Sequence, residues 1–330
     1  MTDSPRPSAA ELEQALLGER RKYTRAELCE LAGTSVEQAR RLWRAMGFAD
    51  VGDDVRAFTD GDADALQRLR ALIDEGSIDE VLAVSITRAL GRNLSRLAEW
   101  LGEAFTERMA RTDRLEVEEA ARFAVAEASA LLPETEALVV YVWRRQLAAV
   151  ASRTLSASDA ELAAGRLGVG FADLVGFTRL SRRLAEHQLA EIVETFEARA
   201  SDIVAAGGGR VVKTVGDEVL FVGDTAPVTG EIALRLAEGM AADQVVPDVR
   251  VGVAFGTVLT RLGDVFGTTV NVASRLTAVA QPGSVLVDGG MAAALAGEAA
   301  FDLRPHWRAR RLRGVGQVDA SVLARAASPT

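Results

Sequence analysis

The second half of the chain holds six side chains whose types and spacing suit the handling of cations and phosphate. Asp173 follows a run of apolar, strand-like residues and lies just ahead of "GFTRL", where a helix can begin. A carboxylate at a strand end beside a helix N-terminus can hold a divalent cation while free amides bind phosphate oxygens. Asp217 occupies a Gly-Asp turn between two predicted strands, and Lys213 precedes it by four residues. On a regular strand Val211, Lys213 and Val215 share one face, so the ammonium projects from an apolar side and needs a partner. Farther on, "GDVFGTTVNVASRL" supplies Asp264, Asn271 and Arg275, the last two on one face of a predicted helix. Each has a plainer reading alone: Asp173 and Asn271 as helix caps, Asp217 as a hairpin residue, Arg275 as a solvated side chain. Lys213 could snorkel to solvent. Lysine is still a pointed choice, because Lys22 and Lys213 are the only lysines among 38 basic residues. Arginine's planar fork and lysine's point donor are not interchangeable.

The elements that must position these residues change period near residue 155. Before it, everything reads as helix. "AAELEQALLGE" and "RAELCELAG" are short pieces; "SVEQARRLWRAMG" runs from an N-cap at Ser35 to Gly47; "DADALQRLRALIDEG" can be capped by Asp62 or Asp64. A longer helix spans about 79–110, where Leu82, Ile86, Leu90, Leu94, Leu97 and Leu101 form one apolar stripe, read first as core. Two further helical segments cover about 116–131 and 135–153. The small, polar "SASDAELAAGRLG" is a linker. Strands then alternate with helices: "VGFADLV", "GRVVKTVGDEVLFVG" as two strands, "DVRVGVAFGTVLTRLG" and "PGSVLVD", with helices such as "TGEIALRLAEGMA" between them. Such a mixture indicates an α/β or α+β domain with helices on one face of a sheet. The expected layout is a helical domain over 1–153, a linker over 154–166 and a mixed domain over 167–327.

Composition narrows the partners. Net charge is −9, and residues 1–150 carry 27 acidic against 20 basic side chains. That argues against broad nucleic-acid binding, which needs a basic surface. The apolar run "ALVVYVW" at 137–143 is far short of the roughly 20 residues that span a bilayer, and no basic-then-apolar leader opens the sequence. Cys29 is the only cysteine, so no internal disulfide forms. A cytoplasmic protein without membrane contact is expected.

Together, "FADLVGFT", "KTVGDEVLF" and "GDVFGTTVNVASR" resemble the metal and substrate motifs of class III nucleotidyl cyclases, in that family's order, over about residues 167–325. The resemblance implies an α+β fold, a ferredoxin-like catalytic domain preceded by an all-α regulatory domain. It implies conversion of ATP to 3′,5′-cyclic AMP and pyrophosphate. Asp173 and Asp217 would bind two divalent cations, Mg2+ or Mn2+; Lys213 and Asp264 would read adenine through its ring N1 and 6-amino group. Asn271 would orient the ribose and Arg275 would stabilise charge on the α-phosphate. Phe177 and Thr178 in the first motif would touch substrate, and Arg313 in "RRLRGVG" would stand for a family lysine near the terminal phosphates. In this family the metal aspartates and the base-reading residues of one site come from different subunits, so a homodimer with two shared sites is implied.

Three rivals remain at this level. "VGDEVLF" echoes the Gly-Gly-Asp/Glu-Glu-Phe signature of diguanylate cyclases, but Val215 and Val219 replace its first glycine and its phenylalanine. A degenerate, nucleotide-sensing cyclase domain is the second. The third is a DNA-binding regulator: residues 22–70 look like a helix-turn-helix of the MerR type, with Arg40, Arg41 and Arg44 on the recognition helix. Against it stand Glu37 and the acidic "DVGDDVRAFTDGDAD" where a basic wing belongs. The whole arrangement is similar to soluble actinobacterial cyclases with a helical N-terminal regulatory domain, a group known for pH-responsive autoinhibition. His187 and His306, the only histidines, both lie in the catalytic half, so a histidine switch within the helical half is excluded.

Overall fold

The computed structural model describes residues 9–111, 117–156, 165–243 and 245–326. The chain divides into two compact units, Met1–Val150 and Ala151–Thr330.

The first unit is built from α1 (Ala9–Leu17), α2 (Arg25–Ala32), α3 (Val36–Ala45), α4 (Asp60–Asp74), α5 (Glu80–Arg111) and the start of α6 (Val117–Ser156). Local signals set the short helices. Thr24 and Glu27 close a capping box on α2, Gly33 ends it in the left-handed conformation, and Ser35 caps α3. Helix α4 starts earlier than expected. Thr59 is its cap, and Asp62 serves as the reciprocal partner in the capping box. The apolar faces of α2, α3 and α4 gather Leu28, Leu42, Phe58 and Leu66 into one small core.

The α5 stripe is not core. Leu82, Ile86, Leu90 and Leu94 are 39–49% exposed, whereas Ala83 and Thr87 are buried. The inward line is the small-residue one, Ala83, Thr87 and Gly91, because α3 approaches closely. A Cβ on Gly91 would lie 2.3 Å from the Met46 carbonyl oxygen. Nor does the chain break into two helices after residue 131. Helix α6 runs on through Pro133, at the cost of the one backbone bond that proline cannot donate.

In the second unit, the described residues form a seven-stranded sheet in the order β2-β3-β1-β4-β7-β9-β8. The strands are β1 (Arg166–Leu174), β2 (Arg210–Val215), β3 (Glu218–Gly223), β4 (Val249–Thr257), β7 (Val285–Asp288), β8 (Phe301–Leu312) and β9 (Gly316–Arg325), with a separate hairpin of β5 (Leu259–Arg261) and β6 (Asp264–Phe266). Four-residue α7 (Phe177–Leu180) and long α8 (Glu186–Ala206) connect β1 to β2; α9 (Ala226–Ala241) connects β3 to β4. This β-α-β-β-α-β path with β1 between β3 and β4 is the ferredoxin-like core that the motifs led us to expect. Helices α10 (Thr268–Val279) and α11 (Gly289–Ala294) follow.

Alternation along each strand separates two cores. Ala172, Val219, Phe221, Val251 and Val253 face α8, α9 and α11. Val169, Phe171, Leu220, Val222 and Ala254 face Val272, Ala273 and Leu276 of α10. Helices therefore cover both faces, not one as the strand pattern suggested. Helix α10 reaches its face because Gly252 leaves room: a Cβ there would lie 2.2 Å from the Thr277 amide nitrogen. The β8–β9 hairpin was absent from the sequence expectation. Its register shifts on both sides of Trp307 and so breaks the period-2 pattern by which strands are read.

Candidate active site

The face covered by α10 carries the chemistry. Asp173 shares the alternation of Val169 and Phe171, and its Cα partners are Glu218 on β3 and Arg250 on β4. The turn at Gly216 (φ 61) is fastened to the end of β1 by the Leu174 amide donating to the Asp217 carbonyl at 3.0 Å, which sets Asp217 beside Asp173. Asp173 is no helix cap, since Gly176 takes that position on α7. Asn271 is none either; α10 begins at Thr268 after Gly267.

Lys213 does not share a face with Val211. A β-bulge leaves Val212 unmatched, so that Val211 pairs with Phe221 and Lys213 with Leu220, which belong to opposite cores. The bulge thus turns Lys213 towards the α10 side. There its Nζ donates to Asp264 Oδ2 at 2.7 Å, and the second carboxylate oxygen accepts from the Val265 amide at 2.8 Å. On α10, Asn271 and Arg275 stand exposed one turn apart.

The remaining expected residues are more dispersed. Phe177 packs its ring against the α8–α9 core, on the other face. Thr178 is exposed and its carbonyl accepts from Ser181 Oγ at 3.1 Å. Arg313 is exposed in the turn between β8 and β9. His187 is an exposed residue in the first turn of α8.

Electrostatics mark the carboxylates. Burial pushes the Asp173 carboxyl up; the Arg250 guanidinium opposes that, and neighbouring Asp217 adds to it. Glu218 is also pushed up, by burial first and then by Asp173 and Asp217. Like charges held together in a half-buried place favour a cation between them. The donors are hard oxygens, which suit Mg2+ or Mn2+. Among the described residues no three or more metal-ligating side chains converge. Two aspartates plus substrate phosphates and water is the arrangement Mg2+ prefers, so the residues fit such ions.

Sequence reasoning missed Arg250 and Glu218. Glu218 adjoins Asp217 in plain view. Arg250 left one signal, a charge inside the apolar run "VRVGV", but its meaning depends on the β1–β4 register.

A ferredoxin-like sheet bearing a carboxylate pair and a lysine–aspartate pair on one face defines a nucleotide-handling phosphoryl-transfer domain, joined to a helical unit. Residues 162–323 match the adenylate and guanylate cyclase catalytic domain, and residues 7–147 match the adenylate cyclase regulatory domain. An adenylate cyclase of Streptomyces coelicolor is 47% identical over 97% of this chain and 90% of its own length. One of Streptomyces griseus is 49% identical over 87% and 71%. A pH-sensitive adenylate cyclase of Mycobacterium tuberculosis is 33% identical over 91% and 77%. The chain belongs to the adenylate cyclase family. Among the described residues no helix is long and apolar enough to cross a membrane.

Proposed function

We propose that the chain makes 3′,5′-cyclic AMP and pyrophosphate from ATP at two equivalent sites, each completed by a second copy, under control of its helical unit. The Lys213–Asp264 pair carries the reading: a single donor and a single acceptor, 2.7 Å apart, stand on the face that also holds Asp173 and Asp217.

Adenine presents an acceptor at N1 and a donor at its 6-amino group. Lys213 Nζ donates to the first and Asp264 accepts from the second, each exchanging its present partner for the base. Guanine presents a ring N–H and a carbonyl at these places, which leaves both side chains mismatched. Asp173 and Asp217 hold Mg2+ or Mn2+, which when bound lowers the pKa of the ribose 3′-hydroxyl and neutralises the triphosphate. Asn271 orients the ribose so that the 3′-oxygen faces the α-phosphorus. As that oxygen attacks and the bond to the β-phosphate oxygen breaks, Arg275 donates to the α-phosphate oxygens where charge grows. Arg313 and the backbone around Thr178 bind the outer phosphates.

The DNA-binding alternative loses its cations. Arg40 pairs with Asp53 at 3.2 Å, Arg41 with Glu80 at 3.2 Å, and Arg44 with Asp50. A recognition helix neutralised by its own neighbours has little left for phosphates.

The test mixes two inactive full-length variants, Asp217→Ala and Arg275→Ala. If sites are shared, each mixed dimer rebuilds one intact site, and an equilibrated mixture makes cyclic AMP at about a quarter of the wild-type rate. No recovery would mean that each chain holds a whole site. Lack of turnover by the wild-type protein with ATP and Mn2+ would leave a nucleotide sensor.

A further inference from the structure

Arg250 brings to the site a charge that the steps above do not use. It lies on β4 directly opposite Asp173, 77 positions away in sequence. Its Nε donates to Asp173 Oδ2 at 2.6 Å and its Nη2 meets the same oxygen at 2.5 Å. The Asp173 side chain is 13% exposed and that of Arg250 36%. Nη1 reaches the Ala278 carbonyl, at the C-terminal end of α10, at 3.5 Å. One guanidinium thus spans a metal-binding aspartate and the helix that bears Asn271 and Arg275.

We propose that Arg250 is a positioning residue that holds Asp173 while the site is empty and keeps the aspartate pair from taking up a divalent cation on its own. This rests on the reading of Asp173 and Asp217 as metal ligands. Three observations carry it. Asp173 Oδ2 accepts from Arg250 Nε and lies 2.5 Å from its Nη2, and a charge-assisted contact of this kind is among the stronger side-chain contacts. A fixed positive charge beside the carboxylate repels an incoming divalent ion, most strongly where the site is half buried. Finally, the Ala278 carbonyl offers the guanidinium a second anchor, in the negative end of the α10 dipole, so it can yield Asp173 without being left unpartnered. The consequence is ordered filling: the bare protein binds metal weakly, and tight binding awaits a nucleotide that brings its own negative charge.

Full-length protein without nucleotide is titrated with Mn2+, and free Mn2+ is followed by its electron paramagnetic resonance signal. Arg250→Gln, which keeps donors but removes the charge, should tighten binding about tenfold. Arg250→Lys, which keeps the charge, should stay within about threefold of wild type. The gain should vanish when Asp173→Asn is added to Arg250→Gln. Unchanged or weaker binding by Arg250→Gln, with Asp217→Ala still abolishing it, would overturn the guard while leaving the metal ligands in place. Mn2+ binding and ATP turnover indifferent to both Asp173→Asn and Asp217→Ala would overturn the underlying reading as well. A second readout needs no charge-removing variant. The Arg250 Nε–H resonance of the wild-type protein, assigned through Arg250→Lys, should move on saturation with Mg2+, and a fixed resonance would refute the proposal.

Discussion

Lys213 and Asp264, 51 positions apart, meet at 2.7 Å because a bulge in β2 turns the lysine towards the β5–β6 hairpin. Their pairing in the absence of nucleotide gives each a partner, so neither is stranded as a lone charge. If the two read one base as a unit, as proposed above, their removal should not be additive. Lys213→Ala and Asp264→Ala should each lower kcat/KM for ATP by about 10²-fold, and the double variant should lose little more. Full additivity in the double-mutant cycle would separate their roles.

Removal of either carboxylate proposed to bind metal should act on turnover more than on folding. Asp173→Ala and Asp217→Ala should each reduce cyclic AMP production by about 10³-fold or more at saturating ATP and Mn2+. Asp217→Ala should melt within a few degrees of wild type, because it relieves repulsion with Asp173 and Glu218. Asp173→Ala also leaves Arg250 without its ion pair and should melt lower than Asp217→Ala. A residual rate near wild type, measured by separating cyclic AMP from ATP, would contradict the assignment.

Glu218 yields a prediction about pH. Burial and two carboxylate neighbours raise its carboxyl above the usual value of 4.5 in the folded chain. The folded state therefore binds this proton more tightly than the unfolded state does. Its contribution to stability is whole below the unfolded value and is lost as pH rises through the raised one. At neutral pH the ionised carboxylate is a strain on the metal-free protein. Glu218→Gln should raise the melting temperature by about 1–3 °C at pH 7 without added metal. The gain should fade as the buffer is taken below the carboxylate range, which a melting series across pH measures directly.

How much of this was legible beforehand follows from how local each signal is. Asp217 announces itself by a Gly-Asp turn, and Asn271 and Arg275 by a four-residue interval; neither depends on distant chain. The ferredoxin-like order came with the motifs. Arg250 is different, because its meaning arises from a β1–β4 register that joins positions 173 and 250. The α5 stripe misled for a related reason. Leucines at helical spacing look like core until α3 comes so close that only Ala83, Thr87 and Gly91 fit between. Two segments, about 116–131 and 135–153, were expected where one helix runs through Pro133. The bulge at Val212 reversed the face of Lys213, and nothing in "RVVKTV" marks it.

Arg25 supports the first unit from within. It is 3% exposed, pairs with Asp53 at 2.5 Å and with Asp50, and donates to the Val51 carbonyl at 2.8 Å. Removing this buried charge takes the donor from three acceptors at once, Asp50, Val51 and Asp53, in the segment that follows α3. Arg25→Ala should destabilise the first unit by about 3 kcal/mol, seen as an earlier melting step. The wild-type protein should show no salt-dependent retardation of duplex DNA, since the same acidic segment occupies Arg40 and Arg44. Binding that weakens steeply with salt would reinstate the DNA reading.

Gly252 tests whether the sheet sets the position of the helix that bears Asn271 and Arg275. Its missing side chain lets α10 rest on β4, where a Cβ would lie 2.2 Å from the Thr277 amide and 2.5 Å from the Ala273 carbonyl. Both contacts are backbone, so no rotamer change can make room. The Thr277 hydroxyl adds to the fit by bonding the Phe171 carbonyl at 3.3 Å and the Ala273 carbonyl at 2.9 Å. Gly252→Ala must push α10 outward or strain β4, costing about 1–3 kcal/mol. On the role proposed for Arg275, a shift of an ångström there would misplace its guanidinium relative to the α-phosphate, so kcat should fall by about 10²-fold. KM for ATP should change much less, because Lys213 and Asp264 sit on β2 and β6 rather than on α10. Equal losses in kcat and affinity would mean that the whole face is disturbed. A normal kcat in a folded Gly252→Ala protein would mean that α10 is not what aligns the transition-state residues.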